Sequence, residues 1–428
     1  MRIASAVSRT GFFFGWWVVF ASAAIVFLTG GTFFYGFGAL FNPIVNEFGW
    51  SRASVSFAFS LRSEVGGLAA PVVGFAVDRV GSRRLMVVGV ALVAIGFVLL
   101  SRIESLWAFY GAVVVIAIGM SATGGPVGMV AIAHWFQRQR GRALAVMTVG
   151  AGASGVMVLV LAALISAVGW RDALVIMAAV QLVVCIPLAL SVRNRPEDMG
   201  LRPDGEPFER IGGEERTRPP AAAEGMTARE ALRSGTFWKM AIAGGLTNLG
   251  VIAIVVHQIP FFTSSVGLSE GLAAASVTAM TLLSLLGRLG FGYLADTMDK
   301  RHVTAACYAI TGLALLLYAS VYEAWQILYV LPVFALGFGG SIPVRPAFQA
   351  EYFGLKAFGA IQGLAFTIAT LGGLLGPVFA GWMYDVTENY RLAFTLLAGG
   401  SLLAVPLVLS VSPRRVSDER VEVRDALA

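Results

Sequence analysis

The sequence predicts an all-α membrane protein, with twelve transmembrane helices in two pseudo-symmetric six-helix bundles. Three observations carry that reading. Of 428 residues, 57% are hydrophobic and 13% are charged, whereas a soluble globular chain carries about 25% charged residues. Apolar runs long enough to cross roughly 30 Å of hydrocarbon recur along the whole chain. Short motifs of the first half return at a nearly constant offset in the second. A soluble enzyme, a disordered chain and a disulfide-stapled scaffold are excluded. The two cysteines, Cys185 and Cys307, sit inside apolar runs with no partner spacing and read as packing residues.

The apolar runs, numbered here as helices 1 to 12, fall at 16–40, 52–77, 85–101, 106–130, 142–166, 172–192, 237–262, 271–294, 303–321, 325–349, 358–384 and 391–411. The first follows Arg2 and Arg9 and is too long for the apolar region of a cleaved signal, so it reads as a signal-anchor and first span. Connections are short except for residues 193–236, which are polar and rich in Arg, Glu and Pro. That composition reads as an interdomain linker. The expected organisation is an N-terminal bundle (1–192), a cytoplasmic linker (193–236), a C-terminal bundle (237–411) and a cytoplasmic tail (412–428).

Basic residues set the orientation. With both termini inside, the short inner loops hold Arg79, Arg83, Arg84, Arg138, Arg140, Arg142, Lys300 and Arg301, while outer loops hold only Arg52, Arg102, Arg171 and Arg391. The net charge of +6 therefore reflects topology and does not call for a nucleic-acid partner. The expected location is the plasma (inner) membrane, with lipid around a multi-pass protein.

The halves repeat. Gly74-Phe-Ala-Val-Asp78 after helix 2 has its echo in Gly292-Tyr-Leu-Ala-Asp296 after helix 8. Trp135-Phe-(x4)-Gly141 matches Phe353-Gly-(x4)-Gly359, and Trp170-Arg171-Asp-Ala173 matches Tyr390-Arg391-Leu-Ala393. A duplication of this kind is the parallel repeat of transporters whose symmetry axis lies along the membrane normal.

Over essentially its whole length the chain resembles the major facilitator superfamily. The loop Gly74-x-x-x-Asp78-Arg79-x-Gly81-x-Arg83-Arg84 is similar to that superfamily's signature between helices 2 and 3 at every charged position. Asp78 ends a helix near clustered arginines, so charge pairs between the halves are expected to hold an inner gate closed. The gate candidates are Gly74, Asp78, Arg79, Arg83 and Arg84, with Asp296, Arg301 and Arg345 in the second half.

Three arginines lie within spans: Arg62, Arg288 and Arg345. Each costs about 2.5–3.5 kcal/mol at mid-membrane on insertion scales, which favours a wet cavity or a pair. Thr278, Thr281, Ser284 and Arg288 recur at helical spacing, so one face of helix 8 is expected to line such a cavity. A guanidinium there offers a planar fork matched to a carboxylate. Here the resemblance narrows to the oxalate/formate antiporter and monocarboxylate transporter branch. In that branch a helix 8 arginine, four residues before a glycine, binds the substrate carboxylate; this chain has Gly287-Arg288-x-x-x-Gly292. The segment His257-Gln-Ile-Pro260-Phe-Phe-Thr-Ser-Ser-Val-Gly267 is similar to the branch as well. Two departures stand beside it. Ser284 occupies the position where animal monocarboxylate carriers place an aspartate, and Phe366-Thr-Ile-Ala-Thr-Leu-Gly372 has no counterpart of the oxalate carriers' helix 11 lysine. A two-headed clamp on oxalate would need Arg62 or Arg345 as its second cation.

Arg62 and Glu64 are two residues apart on helix 2 and point to different faces, so one is expected toward the cavity and the other toward a neighbouring helix. Arg345 is expected either to touch substrate or to pair with Glu351 or a gate carboxylate. Tyr35, where the branch orients the anion with an aromatic hydroxyl, joins Asn248 and Gln362 as further substrate-binding candidates. For proton coupling the candidates are Glu64, a carboxyl at membrane depth, and His257, whose imidazole titrates nearest neutrality. No metalloprotease, CxxC, nucleophile-elbow or Walker motif occurs, so neither an enzyme nor a primary pump is expected, and no cofactor or metal is called for. The expected function is alternating-access secondary transport of small organic anions, monocarboxylates first, by proton symport or anion exchange. Two rivals are an exporter of amphipathic compounds and a transport-dead membrane sensor. The exporter reading lacks the helix 5 Gly-Pro of drug antiporters, since this helix reads Gly150-Ala-Gly-Ala-Ser-Gly155. The sensor reading has only the linker to signal with, and no recognisable domain fits there.

Overall fold

The computed structural model describes residues 13–205 and 225–412, and every span expected from hydropathy is helical there. Eleven of the described helices are long and apolar enough to cross a membrane. The twelfth is helix 2, a single 29-residue helix, Arg52–Val80, which carries Arg62, Glu64 and Asp78 along its length. Together they form the two six-helix bundles of the predicted fold.

Helix ends follow the local sequence. Ser51, Ser105 and Ser269 accept from the backbone N–H groups of Ser54, Ala108 and Leu272 and so cap helices 2, 4 and 8. Helix 2 stops at Gly81, whose φ of 85° places the backbone where a side chain is strained. Several spans are broken inside the membrane. Helix 1 runs Phe14–Thr29, widens into a π-helical turn over Gly30–Tyr35, and resumes over Phe37–Phe48. Helix 5 runs Arg140–Ala153, tightens into a 3₁₀ turn at Ser154–Val156, and resumes over Met157–Val168. Helix 6 carries a π-turn at Gln181–Cys185. Helix 10, Ile327–Phe353, absorbs three prolines without ending.

The linker is partly ordered, against the expectation of a plain polar tether. Asp204 accepts from the N–H groups of Gln137 (2.9 Å), Arg138 (2.7 Å) and Gln139 (3.3 Å), fastening the linker's start to the loop before helix 5. Its end is fastened to the other half, where the Met226 N–H donates to the Phe353 carbonyl at 2.8 Å. A short helix, Ala228–Arg233, follows, closed by a reciprocal cap between Thr227 and Glu230. Arg210, Arg216 and Arg218 lie outside the described residues, as do Arg2, Arg9 and the tail beyond 412.

Candidate functional site

Two seams join the bundles, and each is built from one sequence motif meeting the other motif's counterpart. Where helix 2 lies on helix 11, a Cβ on Gly74 would fall 2.2 Å from the Gly359 carbonyl oxygen. Where helix 8 lies on helix 5, a Cβ on Gly141 would fall 2.2 Å from the Gly292 carbonyl oxygen. Backbone touches backbone at both places, which only glycine permits. One turn further on, Asp78 accepts from the N–H groups of Gly359 (2.9 Å) and Ala360 (2.8 Å). Asp296 likewise accepts from the N–H groups of Gly141 (2.6 Å) and Arg142 (3.0 Å), and also from Arg142 Nε at 3.1 Å. These amides are the unsatisfied donors of helix N-termini, where a negative charge is favoured. Both seams are closed at this motif end.

The gate was expected to rest on arginines, and that is corrected. Asp78 is held by backbone amides, and Arg79, Arg83 and Arg84 form no ion pair among the described residues. Within that loop only the Arg83 N–H is anchored, on Asn194 Oδ1 at 3.0 Å. Arg301 stays in its own half, bonded to Asp299 and the Val411 carbonyl. Its hydrogen bonds hold the Asp299 carboxyl below the usual carboxylate range. The third repeat is a staple at the opposite end. Arg171 donates to the Ser101 and Ile103 carbonyls, and Arg391 donates to the Val321 carbonyl, each tying the start of a bundle's last helix to a loop.

Two turns from Asp296, on the same seam, stands Arg288. It is 5% exposed, and its Nη1 donates to the Thr148 carbonyl of helix 5, in the other half. A Cβ on Gly152 would lie 3.3 Å from the guanidinium carbon, so glycine leaves the space that the cation fills. The 3₁₀ turn of helix 5 begins two residues later, and the π-turn of helix 1 lies against it: a Cβ on Gly31 would sit 2.5 Å from Met157 Cβ and 2.7 Å from the Ser154 carbonyl oxygen. Irregular backbone at membrane depth is tolerated only where protein buries it or a cavity is lined, and π-turns concentrate at functional sites. Sequence reasoning missed these breaks, although the glycine clusters Gly30-Gly31 and Gly150-Ala-Gly152 signal them.

The other candidates separate. Arg62 is buried, with its guanidinium carbon 4.4 Å above the Phe34 ring of helix 1 and Nη2 donating to Ser63 Oγ. Glu64 is half-buried, does not pair with Arg62, and forms no ion pair among the described residues. Gln362 reaches across the bundles, its Nε2 3.1 Å from Met129 Sδ of helix 4. Asn248 donates to the Ala369 carbonyl at 2.6 Å, and His257 Nε2 lies 2.9 Å from the Pro377 carbonyl, so both tie helix 7 to helix 11 within one half. The side chain of Tyr35 lies outside the described part of the chain.

Two expectations fail on geometry. Ser284 was placed on a cavity wall, yet it is fully buried: its backbone lies against Gly339 of helix 10 and its hydroxyl donates to the Thr281 carbonyl. Arg345 does not pair with Glu351, because Glu351 is bound to Lys300; Arg345 donates instead to Ser341 Oγ at 3.2 Å. The three intramembrane arginines thus lodge apart, on helix 5, on helix 1 and inside the C-terminal bundle.

The sequence model of the Major Facilitator Superfamily matches residues 20–301 and 258–426. The chain belongs to the major facilitator superfamily. It is accordingly a multi-pass membrane transporter and not an enzyme. It is 28% identical to monocarboxylate transporter 13 of Bos taurus, over 93% of this chain and 89% of that protein. It is 23% identical to the oxalate:formate antiporter of Oxalobacter formigenes, over 87% and 86% respectively. Among solved structures, the fucose:proton symporter of Escherichia coli superposes with a TM-score of 0.69 at 14% identity, covering 91% of this chain and 97% of that one. The human organic anion transporter MFSD10 superposes equally well, with a TM-score of 0.69 at 16% identity over 91% and 98%. These two likenesses concern the fold.

Proposed function

We propose that this superfamily member carries small organic anions, monocarboxylates first, by alternating access, with Arg288 as the residue that holds the carboxylate. The observation that carries the reading is the placement of Arg288: a buried guanidinium, held on the opposite half's backbone, beside the broken turns of helices 1 and 5. A cation at the junction of the two halves couples its ligand to their relative motion. Parting the helix 5/8 seam breaks its bond to Thr148, so an anion bound there favours one arrangement over the other. Because Arg62 and Arg345 face other helices, no second cation completes a two-headed clamp beside Arg288, which favours a single carboxylate over oxalate. The relatives named above point to the same substrate class. We place the protein in the inner membrane with both termini and the linker cytoplasmic, the two bundles spanning 1–192 and 237–411.

The test is counterflow in liposomes. Exchange of a labelled monocarboxylate is expected with the wild-type protein and none with Arg288→Ala. Arg288→Lys keeps the charge but loses the fork, so affinity should fall by about 1.5–3 kcal/mol. Normal uptake by the alanine variant would place the anion elsewhere.

A further inference from the structure

The gate and the carboxylate site leave one membrane-depth cation without a task, Arg345 of helix 10. It is half-buried, and no carboxylate lies within ion-pair distance among the described residues. Its Nη2 donates to Ser341 Oγ, whose own proton goes to the Phe338 carbonyl, and its buried Nε meets no acceptor there. Across from it stands Tyr308 of helix 9, a buried phenol whose ring centroid lies 5.9 Å from the guanidinium carbon. Helix 7 closes the third side with Gly244. A Cβ on Gly244 would have two neighbours within 4 Å, Arg345 Nη1 and the Tyr308 hydroxyl, each at 3.7 Å. The space in front of this glycine is therefore walled by a guanidinium N–H and a phenol O–H, two donors that suit a small anion.

Its depth fits a path. Helices 8 and 10 run side by side, with Gly287 against Leu336 and Gly340 against Phe291. Arg345 lies beyond Gly340, so at a rise of 1.5 Å per residue it sits roughly 10 Å nearer the motif end than Arg288.

We propose that Arg345, Tyr308 and Ser341, around the notch at Gly244, form a second small-anion position. A carboxylate released from Arg288 occupies it while the motif-end seams part. The inference rests on the reading that Arg288 binds the carboxylate, and the experiment separates the two. Full-length protein in liposomes is assayed for counterflow of radiolabelled formate, acetate, lactate and pyruvate, each in turn as the probe. The same anions are titrated against thermal stability of the purified protein. Arg345→Gln and Gly244→Val should each lower the counterflow rate at saturating probe at least tenfold. Both should leave the half-stabilising concentration of that probe within threefold, because binding is set at Arg288. Tyr308→Phe keeps the packing and loses one donor, so its rate should fall about threefold. Arg345→Lys should recover part of the rate. Wild-type rates in both Arg345→Gln and Gly244→Val would overturn the second position. So would a loss of rate matched by a loss of ligand-free stability, which marks Arg345 as structural. If Arg288→Ala transports normally, or no carboxylate stabilises the wild-type protein, the Arg288 reading falls and takes this one with it. If Arg288→Ala is inactive while Arg345→Gln and Gly244→Val are normal, only the second position falls.

Discussion

The helix 2/11 seam and the helix 5/8 seam repeat one design, yet they differ where charge is concerned. Both begin with a glycine pair in backbone contact and a carboxylate on the opposite helix N-terminus. One turn beyond the glycine contact they diverge. On helix 2 the residue is Ala70, and a Cβ on Gly363 opposite would fall 2.4 Å from its carbonyl oxygen. The residue at the same repeat position of helix 8 is Arg288, reaching the Thr148 carbonyl. The stagger runs the other way further along, where helix 2 has Arg62 and Glu64 and helix 8 has Met280 and Leu282. A second difference sits at the latch, since Arg142 adds a side-chain bond to Asp296 while Ala360 adds none to Asp78. The lesson is that closure is a symmetric property of this molecule and ligand recognition an asymmetric one. A gate must close both seams together, so duplicated motifs serve it; an anion site needs its cation once.

The sharpest way to break that comparison is to move the cation. Exchanging the pair, Ala70→Arg with Arg288→Ala, should abolish uptake, because the backbone of Gly363 occupies the room that Gly152 leaves beside Arg288. Liposome counterflow checks it, and wild-type exchange would mean that the seams are equivalent after all. Closure should respond next. Gly74→Ala and Gly141→Ala each place a methyl 2.2 Å from a carbonyl oxygen, an overpacking that costs about 1–3 kcal/mol. With Cys185 and Cys307 replaced, a cysteine at the buried Ala350 should label faster with a thiol reagent in both variants to a similar degree. Unequal labelling would break the symmetry of closure.

The latches should differ more finely. Asp78→Asn and Asp296→Asn should each raise the same labelling, with a coupling of about 1–3 kcal/mol, and Asp296→Asn should raise it more. Arg142→Ala should remove most of that difference, worth about 0.2–1 kcal/mol, because the arginine side chain is 42% exposed. The smallest effect concerns Glu64, which has no carboxyl counterpart on helix 8. Glu64→Gln should abolish the pH dependence of uptake and leave exchange at equal pH intact, whereas His257→Asn, bonded to a backbone carbonyl, should do neither. An unaltered pH profile in Glu64→Gln would favour anion exchange without a proton.

Much of this was legible beforehand, for a physical reason. Bilayer thickness imposes a length on every apolar run, and unsatisfied backbone groups in lipid force those runs to be helical. Twelve spans therefore follow from hydropathy alone. The repeated Gly-x-x-x-Asp motifs marked the gate because a glycine contact and a capping carboxylate require those residue types. Arg288 stood out because charge at membrane depth is costly. Partners were not legible. The arginines beside Asp78 are its nearest charges in sequence, but helix 11 amides are its neighbours in space. Ser284 shares a helical stripe with Arg288, yet its backbone is pressed on Gly339. Glu351 lies one and a half turns from Arg345 and is held by Lys300. Periodicity assigns a residue to a face of its own helix, and nothing in one strand of sequence says which other helix covers that face. The sequence by itself thus determined that the chain spans the membrane twelve times in two related halves with a costly arginine on helix 8. Only the tertiary structure decided that each motif closes on the other half, and that the arginine meets a broken helix, because those contacts join residues far apart in the chain through packing between helices.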